Sequence, residues 1–445
     1  MTDIKGIPYT QVKFDKDGRR ENAPQVPAGT TDLIVVSHGW NNTEDDAVDL
    51  YTKLFSNYSD QIKGDPAYKD RRVAILGVIW PAKKFDELMT QLIAKSAQDS
   101  GGAKSLTPAE HKAAQDAMHA AIDRAAPAFD DPGDSDRLAE LHRLVPSLND
   151  NAADQAAFVA TLRELLDPQS QRADQQHDED SSDFLFNADA EQVFQSATDP
   201  APASAADPEP VPPQTAKAES GQALSFIGDV FSKAANAVTN LLNVSTYFEM
   251  KQRAGTVGKN GAAPLIDELA AKVDRIHLVG HSFGGRLVTA TAANSNTSKL
   301  HSLSLLQAAF SHNGFSKKRG GFFREVVTKK RVNGPIFVTH TKKDTAVGLA
   351  YPAASRLSGD TGKAFGGPDD KFGGIGSNGA QQMEDKEISE TAKTLLAVRA
   401  AYQWQAGKFH NLDSTEFIVD PNGGDAHGWV FVPEVAWAIS RAVVS

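Results

Sequence analysis

The stretch GHSFG at residues 280–284 contains the side chain best suited to covalent chemistry, that of Ser282. The apolar run at 276–279 before it predicts a β-strand, and the segment at 286–293 after it predicts a helix. Small residues in the motif permit the tight turn that joins such a strand to such a helix and leaves the serine at its apex. Ser282 is therefore a candidate nucleophile toward an acyl carbon, and a bystander serine in an ordinary strand-turn-helix is the alternative.

A second motif lies near the N-terminus, where the apolar run at 33–37 ends in HGWNNT at 38–43. Together with GHSFGG at 280–285 and residues further along the chain, this motif resembles the α/β-hydrolase superfamily of serine esterases and lipases. The resemblance covers about residues 30–90 and 250–445. It implies that the reaction is acyl transfer to water through an acyl-enzyme.

The family's chain order of serine, acid and histidine implies the other two members of a catalytic triad. The strand predicted at 335–339 leads into Asp344, which becomes the candidate acid. The loop after the last predicted strand, 415–419, carries His427, which becomes the candidate general base. Other acids and histidines lie near these positions in the sequence: Asp413, Asp425, His340 and His410.

The resemblance also implies an oxyanion hole. Its two donors would be the backbone N–H groups of Trp40 and of Phe283, which follows the nucleophile. His38 precedes this loop, but the chain order of the family puts the base near the C-terminus, so a structural role is expected for His38.

The proposed chemistry requires no cofactor and no metal. GIGSNG at 374–379 fits the spacing of a dinucleotide-binding loop, but it follows a polar segment instead of a strand, which favours an ordinary glycine-rich loop. Asp369 and Asp370 lie beside it, yet the carboxylate spacing of a calcium-binding loop is missing.

Short apolar runs rich in β-branched residues recur along the chain and predict buried strands. They lie at 33–37, 73–80, 276–279, 303–306, 335–339 and 415–419. Helix-like segments separate most of these runs. This alternation predicts an α/β fold with a doubly wound, mostly parallel sheet. The resemblance implies that this sheet is that of the α/β-hydrolase fold.

The strand and helix pattern divides the chain into three parts. Residues 1–94 and 246–445 form the two parts of the α/β core, and residues 95–245 form an insertion between the fourth and fifth strands. Helical spacing is visible in the first half of the insertion at Leu138, Leu141, Leu144, Phe158, Leu162, Leu165 and Leu166. Residues 169–220 are rich in Asp, Ala, Pro, Ser and Gln, a composition typical of a disordered tether.

Composition excludes several classes of function. The net charge is 46 minus 57, or −11, which disfavours broad binding of nucleic acid. The chain has no cysteine, which excludes disulfides, thiolate metal sites and a cysteine nucleophile. The first 20 residues are polar and no long apolar stretch is present, so we expect a cytoplasmic protein or one exported without a cleaved signal. The oligomeric state is left open.

The substrate class is expected to be an ester, with a lipase or phospholipase favoured over an esterase for soluble substrates. The segment 223–244 has apolar residues at helical period, namely Ile227, Val230, Phe231, Ala234, Val238, Leu241 and Leu242. It is either a lid over an acyl pocket or a helix of the core. A thioesterase or acyltransferase would use the same triad, and the non-enzymatic alternative is a binding protein that kept the fold without catalysis.

A basic cluster with interleaved aromatic residues allows contact with anionic lipid head groups, although a solvated helix surface is the simpler interpretation. Its members are Phe315, Lys317, Lys318, Arg319, Phe322, Phe323, Arg324, Lys329, Lys330 and Arg331.

Overall fold

The computed structural model describes residues 2–40, 42–82, 108–166, 182–198, 233–347 and 373–445. Within them lies an eight-stranded sheet in the order β1-β2-β4-β3-β5-β6-β7-β8. The strands are β1 (Thr2–Ile4), β2 (Ile7–Lys13), β3 (Asp32–Ser37), β4 (Val73–Ile79), β5 (Arg275–His281), β6 (Leu300–Leu306), β7 (Ile336–His340) and β8 (Phe409–Asp413). Strand β1 is antiparallel to β2, and all other neighbours are parallel. The chain therefore has the α/β fold with a mostly parallel sheet that its alternating pattern predicts.

Five of the six predicted strands are confirmed as β3, β4, β5, β6 and β7. The sixth is wrong, because residues 415–419 form turns after β8. There Thr415 N donates to the Asp413 carboxylate at 3.0 Å, and Ile418 N donates to Ser414 O at 2.8 Å. The true last strand, Phe409–Asp413, carries three polar residues, His410, Asn411 and Asp413, and so lacks the apolar signature of its neighbours.

The sequence did not predict the edge strand β1 or its neighbour β2. Strand β2 (IPYTQVK) alternates buried and half-buried residues instead of presenting a continuous apolar run. It pairs with β4 from Tyr9 to Lys13, and Tyr9, Val12 and Phe14 pack into the core.

Helices cover both faces of the sheet. Those in the described residues are α1 (Glu44–Ile62), α2 (Pro108–Ala125), α3 (Asp134–Leu144), α4 (Ala152–Leu165), α5 (Ser182–Asn187), α6 (Ala190–Ser196), α7 (Lys233–Thr256), α8 (Ala263–Leu269), α9 (Phe283–Asn294), α10 (Arg324–Thr328), α11 (Ile375–Asn378) and α12 (Pro433–Val443). Helices α1 and α12 bury their apolar sides against one face of the sheet, and α7, α8 and α9 pack against the other. This arrangement is a three-layer α/β architecture.

Helix α1 shows how the sequence builds one of these layers. Thr43 caps its N-terminus by accepting from Asp46 N, and the Asp46 side chain accepts from Thr43 N in return. Its buried residues recur at helical spacing, as Ala47, Tyr51, Leu54, Phe55 and Tyr58. The helix therefore has one apolar side, and Tyr51 on that side reaches the candidate site.

Helices α2 to α6 lie between β4 and β5. The helical spacing predicted across residues 108–166 is confirmed by α2, α3 and α4. Arg253 of α7 holds part of this region in place by donating to Ala128 O at 2.9 Å and to Pro81 O at 3.2 Å. The apolar side chains of these helices join the same core cluster as β3, β4 and β5.

None of the helices in the described ranges combines the length and the apolar character needed to cross a bilayer.

Candidate active site

Ser282 lies at the sharp turn between β5, which ends at His281, and α9, which begins at Phe283. Its backbone has φ 56° and ψ −126°, a conformation that typically costs about 1–3 kcal/mol for a residue with a side chain. The turn is held by neighbouring main chain, since Ser282 N donates to Leu306 O at 3.1 Å and Ser282 O accepts from Ala309 N at 3.0 Å. The structure thus holds the candidate nucleophile in a strained backbone at the carboxyl end of a central strand.

The glycine after Phe283 is required by close packing. A Cβ added to Gly284 would collide with the carbonyl oxygens of Ser37 and His38 at the end of β3. Helix α9 therefore starts against the strand that leads into HGWNNT. This contact places the two sequence motifs side by side.

Gly39 lies directly against the candidate nucleophile. A Cβ added there would meet the Cβ of Ser282 and would lie 3.0 Å from its Oγ. The Trp40 ring lies 5.9 Å from the ring of Phe283, measured between centroids. The two predicted oxyanion residues are therefore neighbours across the turn.

His38 is buried and supports this loop. Its ring stacks on Trp80 with a centroid distance of 5.5 Å, and its backbone N–H donates to the hydroxyl of Tyr51 at 2.7 Å. The Tyr51 hydroxyl in turn donates to Val78 O at 2.7 Å. Burial lowers the pKa of His38 to about 4, so the ring is neutral. These contacts fit the structural role expected for His38.

Asp344 and His427 are brought into contact although they lie far apart in the sequence. The Nδ1 of His427 is 3.1 Å from Asp344 Oδ1 and 3.0 Å from Oδ2. Asp344 is 1 % exposed and accepts two further hydrogen bonds, from Val347 N at 3.0 Å and from Gln307 Nε2 at 3.2 Å. Because Asp344 accepts from Nδ1–H, the neutral imidazole carries its free lone pair on Nε2.

The pKa of His427 is raised although the residue is partly buried. Burial acts to lower its pKa, but the charge of Asp344, the hydrogen bond to Asp344 and the charge of Asp425 together raise the pKa above 6.5. The imidazolium is stabilised at this position, as a group that accepts a proton during a reaction requires.

His281, the residue before Ser282, connects the histidine loop to the turn. Its Nε2 donates to the main-chain oxygen of His427 at 2.9 Å, and the two rings lie 4.8 Å apart. Burial and the neighbouring His427 lower the pKa of His281 to about 3, so His281 is neutral. The structure therefore brings His427 to the immediate neighbourhood of the candidate nucleophile.

The other acids and histidines considered from sequence make different contacts. Asp413 accepts from Thr415 N at 3.0 Å, and His410 Nε2 accepts from Gln405 N at 3.1 Å. Burial lowers the pKa of both His340 and His410 to about 4. Asp425 is the exception, because its carboxylate accepts hydrogen bonds from the backbone of His427 and of Thr345, the residue after Asp344.

Gln307 is a site residue that sequence reasoning missed. It follows β6, is fully buried and has φ 43°. Its side-chain amide donates to Asp344 Oδ2 and, at 3.1 Å, to Gly376 O. Its position in the sequence could have identified it, because a polar residue directly after a central parallel strand lies at the edge of the sheet where ligands bind.

The glycine-rich segment 374–379 supports the candidate acid. Residues Ile375–Asn378 form the single turn of α11, and Gly376 O accepts from Gln307 and from Thr341 N. It is a buried turn beside β7, whereas a dinucleotide-binding loop follows a strand. Asp369 and Asp370 lie outside the described residues.

Several cations of the basic cluster form ion pairs with glutamates of the same chain. Arg324 donates to Glu387 at 2.6 Å, and Lys317 lies 2.9 Å from Glu384. Phe315 and Phe323 are buried in the core. The exposed Lys318 and Lys330 lie in turns before and after the short helix α10, which is typical of a solvated surface.

Three features of a serine-based acyl transfer site thus lie together: a strained serine, an adjacent loop with backbone donors, and a buried acid bonded to a histidine. In the described parts of the chain, no cluster of three or more His, Asp or Glu residues could hold a metal ion. Comparison of the chain with protein-family models, curated proteins and solved structures found no match.

Proposed function

We propose that this chain is a serine hydrolase of the α/β-hydrolase type that cleaves carboxylic esters through Ser282, His427 and Asp344. The observation that carries the proposal is the Nδ1 contact of 3.0 Å between His427 and the buried Asp344, beside the turn that bears Ser282. The three residues follow β5, β7 and β8, in the order serine, acid, histidine known for this type of enzyme.

In the proposed reaction Ser282 Oγ attacks the carbonyl carbon of the ester while its proton passes to His427 Nε2. The carbonyl oxygen becomes negative and accepts hydrogen bonds from the backbone N–H groups of Trp40 and Phe283. His427 then gives the proton to the leaving alkoxide, which leaves an acyl-enzyme. Water, activated by the same histidine, releases the acid and restores Ser282.

Asp344 has two tasks in this scheme. Its carboxylate fixes the tautomer of His427 by accepting from Nδ1–H, and it stabilises the imidazolium that forms. Because Asp344 is almost fully buried, its charge is weakly screened by solvent. The raised pKa of His427 is consistent with this role.

Labelling with a fluorophosphonate probe tests the proposal directly. The native protein should react at Ser282, identified by mass spectrometry of the modified peptide, and the Ser282→Ala variant and heat-denatured protein should not react. A native protein that stays unlabelled while a control esterase reacts would contradict the proposal and would favour a catalytically inactive binding protein.

The substrate class separates two forms of the proposal. A lipase or phospholipase needs a lid that can leave the core, and the candidate segment 223–244 is described from residue 233 onward. There Val238, Leu241 and Leu242 are fully buried in the main core cluster. This burial favours an esterase for soluble substrates over an enzyme that opens on lipid.

Product analysis distinguishes the remaining reaction types. A panel of p-nitrophenyl esters, thioesters and anionic phospholipid vesicles, with and without an alcohol acceptor, identifies the acyl donor and acceptor. A transferred acyl group in place of free acid would indicate an acyltransferase. Hydrolysis confined to the vesicles would support the lipase form and contact with anionic lipid.

A further inference from the structure

One carboxylate connects the two halves of the Asp344–His427 pair. Asp425 Oδ1 accepts from Thr345 N at 2.8 Å and from His427 N at 3.2 Å. Thr345 directly follows the candidate acid, so Asp425 holds the main chain of both partners. The two loops also meet through Ala426 N, which donates to Lys343 O at 3.1 Å.

The main chain of His427 is held on its other side as well. Its carbonyl oxygen accepts from His281 Nε2 at 2.9 Å. Both polar groups of the His427 backbone are therefore bonded to side chains, one from the turn of Ser282 and one from its own loop. This arrangement limits the movement of the imidazole between the nucleophile and the acid.

We propose that Asp425 is a positioning residue for the reaction: it fixes the loop of His427 to the turn of Asp344 and adds a second negative charge beside the imidazole. This inference rests on the proposed hydrolase function. Asp425 is not a catalytic residue, because its hydrogen bonds go to main-chain N–H groups and it acts through His427.

The negative charge of Asp425 should have a measurable effect on the pKa of His427. The titratable groups that face His427 are Asp344 and Asp425, which raise its pKa, and His281, which is neutral. Removal of the Asp425 charge should therefore lower the pKa of His427. Removal of its hydrogen bonds should weaken the alignment of the pair.

Two substitutions at this position separate the two effects. Asp425→Asn keeps an oxygen that can accept from both N–H groups but has no charge. The pH at which kcat/KM reaches half of its maximum should therefore fall by about 0.5 unit, with kcat nearly retained. Asp425→Ala also removes the acceptor, and kcat should fall about 10-fold or more with little change in KM. Asp420→Asn is the matched control, because Asp420 lies in the same loop but bonds locally to Asn422 N.

The readouts keep this inference distinct from the proposed function. Failure of the wild-type protein to react with a fluorophosphonate overturns the hydrolase function itself. A reactive wild type with an unchanged pH midpoint in Asp425→Asn and an unchanged kcat in Asp425→Ala overturns the positioning role. NMR titration of the His427 ring measures the pKa shift without activity, and thermal melting shows whether Asp425→Ala is folded. If that variant is unfolded, Asp425→Asn alone decides.

Discussion

Ser282, His427 and Asp344 differ in how the protein holds them. The strained backbone of Ser282 is held by the hydrogen bonds of Leu306 and Ala309. Asp344 is held by side-chain and main-chain donors, and His427 is held through its own backbone. Replacement of the Ser282 side chain should therefore affect chemistry more than folding, because its backbone makes the hydrogen bonds that hold the turn.

The triad acid can be identified by two parallel substitutions. Asp344→Asn should lower kcat about 10⁴-fold, as in other triads, because the amide no longer stabilises the imidazolium or fixes its tautomer. Asp413→Asn should retain most activity, because Asp413 bonds locally to Thr415. Steady-state kinetics on one soluble ester provides the comparison. Equal losses in the two variants would show that the acid is assigned wrongly.

The pH dependence of kcat/KM should reflect His427. Only the neutral imidazole can accept the proton of Ser282, so activity should rise with pH through the pKa of His427. Because Asp344 and Asp425 raise that pKa, the midpoint should lie above 6.5. A rate profile from pH 5 to 9 measures it. A midpoint well below 6.5 would contradict the environment described for His427.

Helix α7 connects the region between β4 and β5 to the candidate site. Its Tyr247 ring lies 5.2 Å from the ring of Phe283. Arg286 of α9 donates through Nε to Lys251 O of α7 at 3.0 Å. Helix α7 therefore supports the first turn of the helix that follows Ser282.

This packing leads to a prediction for Leu241, which is fully buried on α7. Leu241→Ser should lower the free energy of unfolding by about 3 kcal/mol or more, since it leaves a cavity and buries a hydroxyl. Thr239→Ser, at a half-buried position of the same helix, should change it little. Urea denaturation measures both variants. If Leu241→Ser is stable and loses activity only on aggregated lipid, the helix acts as a lid.

Across the part of the chain that the structure describes, several histidines are fully or partly buried as neutral groups. Burial lowers the pKa of each of them below its ordinary value. They are His38, His277, His281, His301, His340 and His410. The pKa shift of His427 has the opposite sign, because its pKa is raised. The unfolded chain therefore binds more protons than the folded protein between about pH 4 and 6.5.

Stability should consequently fall as the pH decreases below 6.5. Each fully buried histidine with a pKa near 4 in the folded state, namely His38 and His410, should reduce the free energy of unfolding by about 2 kcal/mol between pH 7 and 5. The stabilising contribution of His427 is present below 6.5 and is lost as the pH rises through its pKa. Urea denaturation at pH 7 and at pH 5 measures the total loss of the free energy of unfolding. This loss should be smaller in His410→Gln. A pH-independent midpoint would contradict the burial of these groups.

Local patterns in the sequence were sufficient for the central strands and for the turn at Ser282. Continuous apolar runs predict β3 to β7 because a strand buried on both faces needs apolar residues on both. The glycines around Ser282 predict the turn because the constraint lies within five residues. Ser282 could be named as a candidate from this motif, and Asp344 and His427 from the chain order of the family that the sequence resembles.

Only the tertiary structure decided the elements and contacts that depend on distant partners. Strand β8 carries polar residues and forms because its main chain pairs with β7, a contact that no local pattern records. Asp344 and His427 meet across 83 residues. Gln307 reaches Asp344 from the end of β6, and Asp425 reaches Thr345 from the loop of His427. Hydrogen bonds to a main-chain N–H group do not depend on which residue supplies that group. The sequence near Asp425 therefore holds no sign of its distant partner, Thr345, and only the folded chain brings the two together.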